Sequence, residues 1–203
     1  MARLLRYSVA MSLDGFIADQ KGGYGWITMD PAIDFDAYMA RFDTFVMGRG
    51  TYEVAGGGGP GLGKGTKVYV VSTTLDPAQH PKVTIISRDV EKRVADLKAE
   101  EGKDIWLFGG GVLFRTLLEA GLVDRVEVGV MPALLGQGIP LLAGFGGMGT
   151  GGGKGRRRGS AKGSWARLRL RSLERMPSSG IVMLDYEVEN PDPPRRAPRR
   201  KSE

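Results

Sequence analysis

Residues 104–122 read Asp-Ile-Trp-Leu-Phe-Gly-Gly-Gly-Val-Leu-Phe-Arg-Thr-Leu-Leu-Glu-Ala-Gly-Leu, and this stretch decides the fold. The apolar run over 105–108 has the length and composition of a buried strand. Three glycines follow it. Apolar residues then recur at helical spacing up to Gly121, where a glycine is typical of a helix end. The pattern predicts a strand, a glycine turn and a helix.

The glycine turn at Gly109, Gly110 and Gly111 suits a phosphate group. Glycine lets the backbone approach a ligand closely and tolerates positive φ, and a helix start offers unpaired N–H groups and the positive end of its dipole. A tight turn without a ligand is the alternative, although three consecutive glycines exceed what a turn needs. The turn is not the Rossmann fingerprint, because Phe114 stands in the place of its last glycine.

A second junction of the same kind follows the short apolar run at 44–47. It consists of Gly48, Arg49, Gly50 and Thr51. The guanidinium of Arg49 could hold phosphate oxygens, and Thr51 places a hydroxyl at the predicted helix start. A capped surface helix would explain this junction taken alone, but two such junctions in one chain favour a dinucleotide.

Hydroxyl and basic residues follow two further predicted strands. The strand at 68–71 leads into Ser72 and Thr73, and the strand at 83–86 ends near Arg88. Hydroxyls at the ends of parallel strands commonly face the ligand crevice. Arg88 could bind a 2′-phosphate, or it could be an exposed residue before the helix predicted over 90–99.

The N-terminal part predicts a strand over 4–10, a turn at Asp14-Gly15 and a polar loop that ends before Trp26. Trp26 could cover a flat ring or pin the loop to the core. A helix is predicted from Pro31, with an apolar stripe that ends at Phe42.

Asp34 and Asp36 lie near the predicted start of that helix. Acids at a helix N-terminus are favoured by the dipole, which explains both residues without a catalytic role. Catalysis by either one is the alternative.

The composition excludes several classes of function. The chain has 203 residues, no cysteine and one histidine, so disulfides, thiol chemistry and a His-rich metal site are excluded, and no metal is predicted. No apolar run reaches the length of a membrane span. The first strand begins without a signal-peptide pattern, so a cytoplasmic location is expected.

The net charge of +6 belongs to the last quarter of the chain. Residues 1–150 carry 15 Lys+Arg and 17 Asp+Glu, whereas residues 151–203 carry 14 and 6. We expect a flexible Gly/Arg-rich loop over 144–163, a strand with one basic face over 165–173 and a disordered basic tail over 191–203. A nucleic-acid-associated protein that uses the loop and the tail is an alternative function, although basic tails are usually only solvated.

Six stretches, taken in order, resemble the dihydrofolate reductase fold, and most closely the branch that holds the reductase domain of riboflavin biosynthesis and its stand-alone bacterial relatives. They are AMSLDGFIA (10–18), VMGRGTYE (46–53), VVSTT (70–74), IWLFGGGVLF (105–114), LVDRV (122–126) and PALLGQG (132–138). The resemblance implies a three-layer α/β fold. Its central mixed, mostly parallel sheet would carry helices on both faces and a C-terminal antiparallel hairpin.

The resemblance also implies hydride transfer from NADPH to a C=N or C=O bond of a pteridine- or aminopyrimidine-like substrate. Ala10 and Ile17 match positions beside the nicotinamide, and Trp26 resembles a cofactor-contacting tryptophan. The other cofactor contacts, predicted from the motifs and the resemblance together, are Gly48, Arg49, Thr51, Ser72, Thr73, Arg88, Gly109, Gly110, Gly111, Val112 and Leu113.

The chain also departs from the family pattern. Asp34 and Asp36 lie near the acid that protonates the pterin in dihydrofolate reductases, but the preceding loop differs in length. Val112 stands where those enzymes carry an arginine. The acidic segment and the arginine that bind a phosphorylated ribose in the riboflavin branch are not visible here. A relative that binds NADPH without catalysis is therefore a further alternative.

One domain is expected over 1–190, followed by the tail. The resemblance also implies a possible homodimer, for which the apolar segment 132–142 could serve as an interface.

Overall fold

The computed structural model of the chain describes residues 3–57, 65–143 and 166–189. The strands are β1 (Leu5–Ser12), β2 (Phe16–Ala18), β3 (Phe42–Gly48), β4 (Lys67–Val71), β5 (Thr84–Ile86), β6 (Asp104–Gly109), β7 (Arg125–Met131), β8 (Ile139–Pro140), β9 (Arg167–Arg175) and β10 (Val182–Glu189). The helices are α1 (Phe35–Met39), α2 (Arg49–Val54), α3 (Val90–Ala99) and α4 (Gly111–Glu119), with a 3₁₀ turn at Pro77–Gln79.

Eight of the strands form one sheet, in the order β5-β4-β3-β6-β1-β7-β10-β9. The six strands from β5 to β7 run parallel, and β10 lies antiparallel between β7 and β9. The predicted mixed, mostly parallel sheet with a C-terminal antiparallel hairpin is confirmed. The carboxyl ends of the parallel strands therefore meet at one edge of the sheet, where ligands bind in open α/β folds.

Helices cover both faces of the sheet, as the three-layer prediction requires. On one face, α3 and α4 pack against apolar side chains of the central strands; Val94 and Leu117 are fully buried there. On the other face, α1 and α2 pack against an aromatic cluster that includes Phe45 and Trp106. Ring centroids in that cluster lie 5–7 Å apart, a favourable spacing for aromatic pairs.

Helix α1 is much shorter than the sequence predicts. Pro31 lies in a turn, closed by the N–H of Ile33 that donates to the carbonyl of Asp30. The helix begins after Asp34, and Phe42, predicted as the end of its apolar stripe, already opens β3. The apolar residues of α1 and the first residue of β3 pack against the same core, so their spacing in the sequence is that of one longer helix.

The segment 132–142, predicted as an apolar loop, contains the short strand β8, which pairs with β2. Its carbonyls at Pro140 and Leu141 lie over the start of α4. The predicted loop 144–163 and tail 191–203 lie outside the described residues. Within the described ranges, no helix is long and apolar enough to cross a membrane.

Gly111 lies where the segment after β8 crosses the start of α4, and this crossing predicts a stability effect. A Cβ on Gly111 would lie 2.6 Å from the carbonyl oxygen of Pro140, and two further backbone atoms would be within 3.2 Å. We expect Gly111→Ala to lower the free energy of unfolding by about 1–3 kcal/mol in urea titrations, because backbone atoms must move.

Gly50 in α2 provides the control for this prediction. A Cβ there meets nothing within 4 Å, so Gly50→Ala should be neutral or stabilising by up to about 1 kcal/mol. Equal effects of the two substitutions would contradict the close approach at Gly111.

Candidate functional site

The two glycine junctions touch each other at the carboxyl edge of the sheet. Parallel pairing of β3 with β6 sets Met47 beside Gly109. A Cβ on Gly48 would lie 3.9 Å from the carbonyl oxygen of Gly109, and one on Gly109 would lie 3.2 Å from the Thr51 hydroxyl oxygen. Two stretches 60 residues apart in the chain therefore form one glycine-lined surface.

The turn before α4 presents backbone groups rather than side chains. Gly109 has φ of +139°, which L side chains rarely adopt, and the Gly109–Gly110 peptide is cis. The first helical hydrogen bond runs from the N–H of Phe114 to the carbonyl of Gly110. The N–H groups at 111–113 therefore precede the helical ladder and are oriented as donors for an anion.

The side chains of Val112 and Leu113 differ in their roles. Leu113 is buried in the core under α4, so only its backbone N–H is available to a ligand. Val112 is 60% exposed and carries no charge. The first turn of α4 therefore contributes backbone N–H groups and its dipole without a cationic side chain.

A surface depression of about 330 Å³ brings together several residues that the sequence predicts separately. Its lining includes Arg49, Ser72, Thr73, Thr74 and Ser87. Its volume falls at the lower end of the range for small-molecule sites. The depression joins the ends of β4 and β5 to the start of α2, next to the glycine junctions.

Ser72 and Arg49 contribute differently to this depression. Ser72 is buried, and its hydroxyl oxygen accepts from the N–H groups of Thr74 and Leu75, so it shapes the turn after β4. Arg49 is half exposed and lies 3.8 Å from Glu53, one helical turn on. An exposed pair at that distance is weak, so the guanidinium can exchange Glu53 for a ligand oxygen.

Arg88 lies in an adjoining depression, together with Asp89, Lys92 and Arg93. Arg88 is exposed and precedes α3, whose first helical residue is Val90. The position of Arg88 is therefore compatible with both interpretations. It is an exposed residue before a helix, and it lies near the carboxyl edge of the sheet, where it could bind a phosphate.

Trp26 packs against the same apolar cluster as Ala10 of β1. Both contact the cluster formed by Met131, Met176 and Ile181. The indole Nε1 of Trp26 is buried, and it has no hydrogen-bond partner in the part of the chain that the structure describes. Trp26 pins its loop to the core, as one interpretation predicts, and it also has a buried donor to offer to a ligand. Ile17 is half-buried in β2.

Two aspartates that the sequence analysis did not select fix the loops around this end of the sheet. Asp14 accepts from Ser12 Oγ and from the N–H groups of Leu135 and Gly136. The Ser12 hydrogen bond and these N–H groups lower the pKa of Asp14. This contact ties the predicted Asp14-Gly15 turn to the segment after β7.

Asp30 makes the corresponding contact on the other loop. Its buried carboxylate accepts from the N–H groups of Ala32, Ser178 and Ser179. The bond from Ala32, followed by those from Ser179 and Ser178, lowers the pKa of Asp30. It holds the loop that carries Trp26 against the turn between β9 and β10.

Asp34 and Asp36 are both exposed at the start of α1. The Asp34 carboxylate accepts from the N–H of Ala37 at 2.9 Å, which is the contact of a helix N-cap. Asp36 lies in the first turn. Their position agrees with the capping explanation, and a catalytic role for either remains a prediction.

A buried glutamate, Glu127, forms the most connected polar cluster on the α1 face. One carboxylate oxygen accepts from Ser8 Oγ at 2.7 Å and from the Tyr38 hydroxyl at 2.8 Å. The other accepts from Arg6 at 2.7 Å and from Arg41 at 2.6 Å. Strands β1 and β7 and helix α1 are thereby joined through one side chain.

The charge state of Glu127 follows from these contacts. Burial alone would raise its pKa, but the hydrogen bond from Ser8, the charge of Arg41 and the hydrogen bond from Tyr38 together lower the pKa below its ordinary value. Burial raises the pKa of Tyr38, so its hydroxyl stays protonated and donates to the carboxylate.

The sequence analysis missed Glu127 because the stretch 123–130 alternates like a half-exposed strand. In that alternation Glu127 falls on the polar face, which would face water if only one face of the sheet were covered. In the structure its side chain is buried, and the residue is only 8% exposed. The signal that could have found it is the arginine at position 6. The fold that the sequence resembles places β1 beside β7, so Arg6 and Glu127 would lie in neighbouring strands.

Strand β9 carries the basic face predicted for 165–173, and acidic residues of β10 pair with its arginines. Arg167 pairs with Glu189, and Arg169 and Arg171 both pair with Glu187. These arginines on β9 are thus matched by acids on β10, which reduces their attraction for phosphate groups.

The sheet order, the helix layers and the paired glycine junctions have the arrangement of the dihydrofolate reductase fold. The structure resembles dihydrofolate reductase from Enterococcus faecalis, complexed with NADP(H) and RAB-propyl, with a TM-score of 0.59. That likeness covers 92% of this chain and 97% of the other at 17% identity, so it concerns the fold alone.

The chain belongs to the RibD C-terminal domain family, whose model matches residues 3–181. YyaP, an uncharacterized protein of Bacillus subtilis (strain 168), is 32% identical over 151 residues, which are 68% of this chain and 80% of YyaP. A candidate riboflavin biosynthesis protein from Shewanella sp. PV-4 superposes with a TM-score of 0.67 at 26% identity, over 94% of this chain and all of that one.

The Glu127 cluster predicts a pH-dependent stability. Because its pKa in the folded chain lies below the ordinary value of 4.5, ionised Glu127 stabilises the fold above about pH 4.5, and this contribution is lost as the pH falls through the folded pKa. We expect Glu127→Gln to lower the free energy of unfolding by about 3 kcal/mol at pH 7, since Arg41 loses its carboxylate partner and Arg6 keeps only Asp104.

The difference between wild type and Glu127→Gln should shrink in urea titrations below pH 4.5. Glu119→Gln, at an exposed site at the end of α4, serves as the control and should change stability little at any pH. A Glu127 effect that does not depend on pH would contradict the assigned charge state.

Proposed function

We propose that this protein is an NADPH-dependent reductase that transfers a hydride to a pteridine- or aminopyrimidine-like substrate. The observation that carries the proposal is the contact between the two glycine junctions, Gly48–Thr51 and Gly109–Gly111, next to the depression lined by Arg49 and Thr73. A dinucleotide needs two phosphate contacts and a separate place for each ring system, and this edge of the sheet offers both.

The predicted contact residues would follow the cofactor along its length. The N–H groups at 111–113 and the Arg49 guanidinium would hold the pyrophosphate. Thr73 and Arg88 would bind the phosphate on the adenosine ribose. Ala10, Ile17 and Trp26 would border the nicotinamide, and the buried, unpartnered Nε1 of Trp26 is a donor that a ligand oxygen could satisfy.

NADPH supplies the hydride when it is bound; the protein supplies orientation and electrostatics. Asp14 and Asp30 each hold a loop in place by accepting from backbone N–H groups, and these two loops would exclude water from the end of β1. The cluster at Glu127 would keep α1 in place beside the substrate.

The family and its neighbours support the proposed substrate class. The RibD C-terminal domain family and the fold shared with dihydrofolate reductase both support a nitrogen heterocycle. Asp34 and Asp36 are the candidate proton donors. Asp34 is already engaged as the cap of α1, whereas no hydrogen bond to the Asp36 carboxylate is found within the described residues. Of the two, Asp36 is the better candidate.

The cofactor proposal is tested by titrating NADPH and monitoring its fluorescence. Wild type should bind with micromolar affinity, and Arg49→Ala should weaken binding about tenfold, because one exposed charge-assisted contact is lost. Gly110→Leu should abolish binding: its Cβ lies no closer than 3.6 Å to Thr51, so the fold can accept it, but the side chain fills the turn.

Lys82→Ala is the control, since Lys82 precedes β5 at the end of that strand away from the depression. If Lys82→Ala loses as much affinity as Arg49→Ala, the effect of Arg49 comes from the net charge of the protein and not from a direct contact. No saturable NADPH binding by the wild type would refute the proposed function. Binding without oxidation across candidate substrates would instead identify a non-catalytic relative.

The proton-donor prediction separates the two aspartates. With a reducible pterin or aminopyrimidine, Asp36→Asn should lower kcat at least tenfold with little change in stability. Asp34→Asn should lower stability by up to about 1 kcal/mol through the weakened cap and leave kcat nearly unchanged. Unaltered kcat in both variants would remove these residues from the chemistry.

A further inference from the structure

The α1 face of the carboxyl edge carries a second surface, next to the depression that Arg49 lines. Trp26 packs with Ala10 against one apolar cluster, and Tyr38 of α1 packs with Phe108 of β6 against the neighbouring aromatic cluster. Under the proposed function the nicotinamide would border Ala10, so the substrate would lie between the nicotinamide and α1. We call the surface between Ala10, Trp26 and α1 the substrate side.

The floor of the substrate side is rich in methionine. Gly129 lies beside Ala10 in the sheet, and a Cβ on Gly129 would lie 3.2 Å from Met131 Cε and 3.3 Å from Met183 Sδ. Thioether side chains therefore fill the space where β7 lacks a side chain, and such side chains adapt to irregular apolar groups. Phe35, in the neighbouring helix α1, is 41% exposed. These side chains suit a flat ring with an apolar substituent.

The charged residues of the substrate side are mostly acids. Residues from 11–40, 129–142 and 176–183 pack together to form this side. The last two stretches contain no charged residue, and the first contains five acids and one base, which are Asp14, Asp19, Asp30, Asp34, Asp36 and Lys21. Asp14 and Asp30 stay ionised at neutral pH, because hydrogen bonds lower the pKa of each. Charges of one sign around a site repel ligands of the same sign.

The basic residues near these acids offer little to an anion. Arg41 lies 2.6 Å from the Glu127 carboxylate and is engaged there. Lys21 stands in an exposed turn, in which the Asp19 carboxylate accepts from the backbone N–H of Lys21. A single exposed ammonium beside a carboxylate is screened by water and salt. The substrate side instead offers a neutral donor, the buried Nε1 of Trp26, which has no hydrogen-bond partner among the described residues.

We propose that the substrate side binds a nitrogen heterocycle with an apolar substituent and rejects one that carries a phosphate or a carboxylate. The Trp26 donor would hold the ring, Phe35 and the thioethers would contact the substituent, and the acids would repel an anion. Repulsive elements of this kind set specificity together with attractive ones. The substrate would then differ from that of the riboflavin branch, which carries a phosphorylated ribose. This inference rests on the proposed function, because that function places the substrate beside α1.

A matched pair of ligands tests the proposal without turnover. A diaminopyrimidine with a butyl chain and its counterpart with a carboxypropyl chain share the ring, and their chains differ only in a terminal methyl group or carboxylate. In calorimetric titrations with saturating NADPH, the wild type should bind the butyl ligand at least tenfold more tightly. The ratio of the two affinities should fall as salt is raised from about 0.05 to about 0.5 M, because salt screens the repulsion of the carboxylate.

Substitutions at Phe35 connect this preference to the substrate side. Phe35→Lys adds a cation to α1, so it should weaken the butyl ligand and raise the affinity for the carboxypropyl ligand at least to the same level. Phe35→Leu keeps an apolar side chain and should keep the wild-type order. Ala95→Lys is the control, because it adds the same charge at an exposed position of α3, on the opposite face of the sheet. It should leave both affinities unchanged.

The wild-type titrations decide even if a variant does not fold. Equal or tighter binding of the carboxypropyl ligand overturns the proposal, and so does binding of neither ligand. An equal response to Phe35→Lys and Ala95→Lys also overturns it, because the preference would then come from net charge. The same pair is titrated against the protein without NADPH. If NADPH does not bind but the free protein prefers the butyl ligand, only the cofactor assignment is refuted.

Discussion

The parallel pairing of β3 with β6 is the constraint on which the candidate site depends. Because both strands run in the same direction and lie side by side, their carboxyl ends meet, and each is followed at once by a glycine and a helix. The contact is tightest at Gly109, where a Cβ would lie 3.2 Å from the Thr51 hydroxyl oxygen; a Cβ on Gly48 would make an ordinary contact at 3.9 Å with the same turn. The glycines thus serve both the packing of the two junctions and access to their backbone N–H groups.

The Glu127 cluster is the counterpart of this constraint on the α1 face. A buried carboxylate is costly unless every oxygen is paired, and here Ser8, Tyr38, Arg6 and Arg41 supply four donors. Helix α1 has only five residues and buries none of them fully, so apolar packing alone holds it weakly. The Tyr38 hydroxyl and the adjacent Arg41 fix the helix to the Glu127 carboxylate instead, so its position depends on one residue of β7.

Much of the fold could be predicted from the sequence, because its signals are local. The glycine turn, the helix over 90–99 and the turn at Gly15 each follow from residues that lie close together in the chain. The errors arose where the deciding contact is distant. Phe42 was assigned to a helix because apolar spacing does not distinguish a helix end from a strand start. Glu127 was missed because its partners lie 86 or more residues away, and Asp30 because its contacts with Ser178 and Ser179 span 148 or more residues. Of the predicted cofactor contacts, the depression gathers Arg49, Ser72 and Thr73, whose nearness depends on the sheet order.

The distribution of charge at the edge of the sheet bears on how a cofactor would be held under the proposed function. With Val112 uncharged and exposed, the first turn of α4 acts through N–H groups that do not titrate. Arg49 is half exposed and shares its charge with Glu53, so its contribution is screened by solvent and by salt. Recognition of the pyrophosphate would then rest mainly on the shape of the glycine turn, and the charge of Arg49 would adjust affinity rather than create it. A site of this kind would tolerate changes of side-chain charge better than a bulky side chain that fills the turn at Gly109 and Gly110.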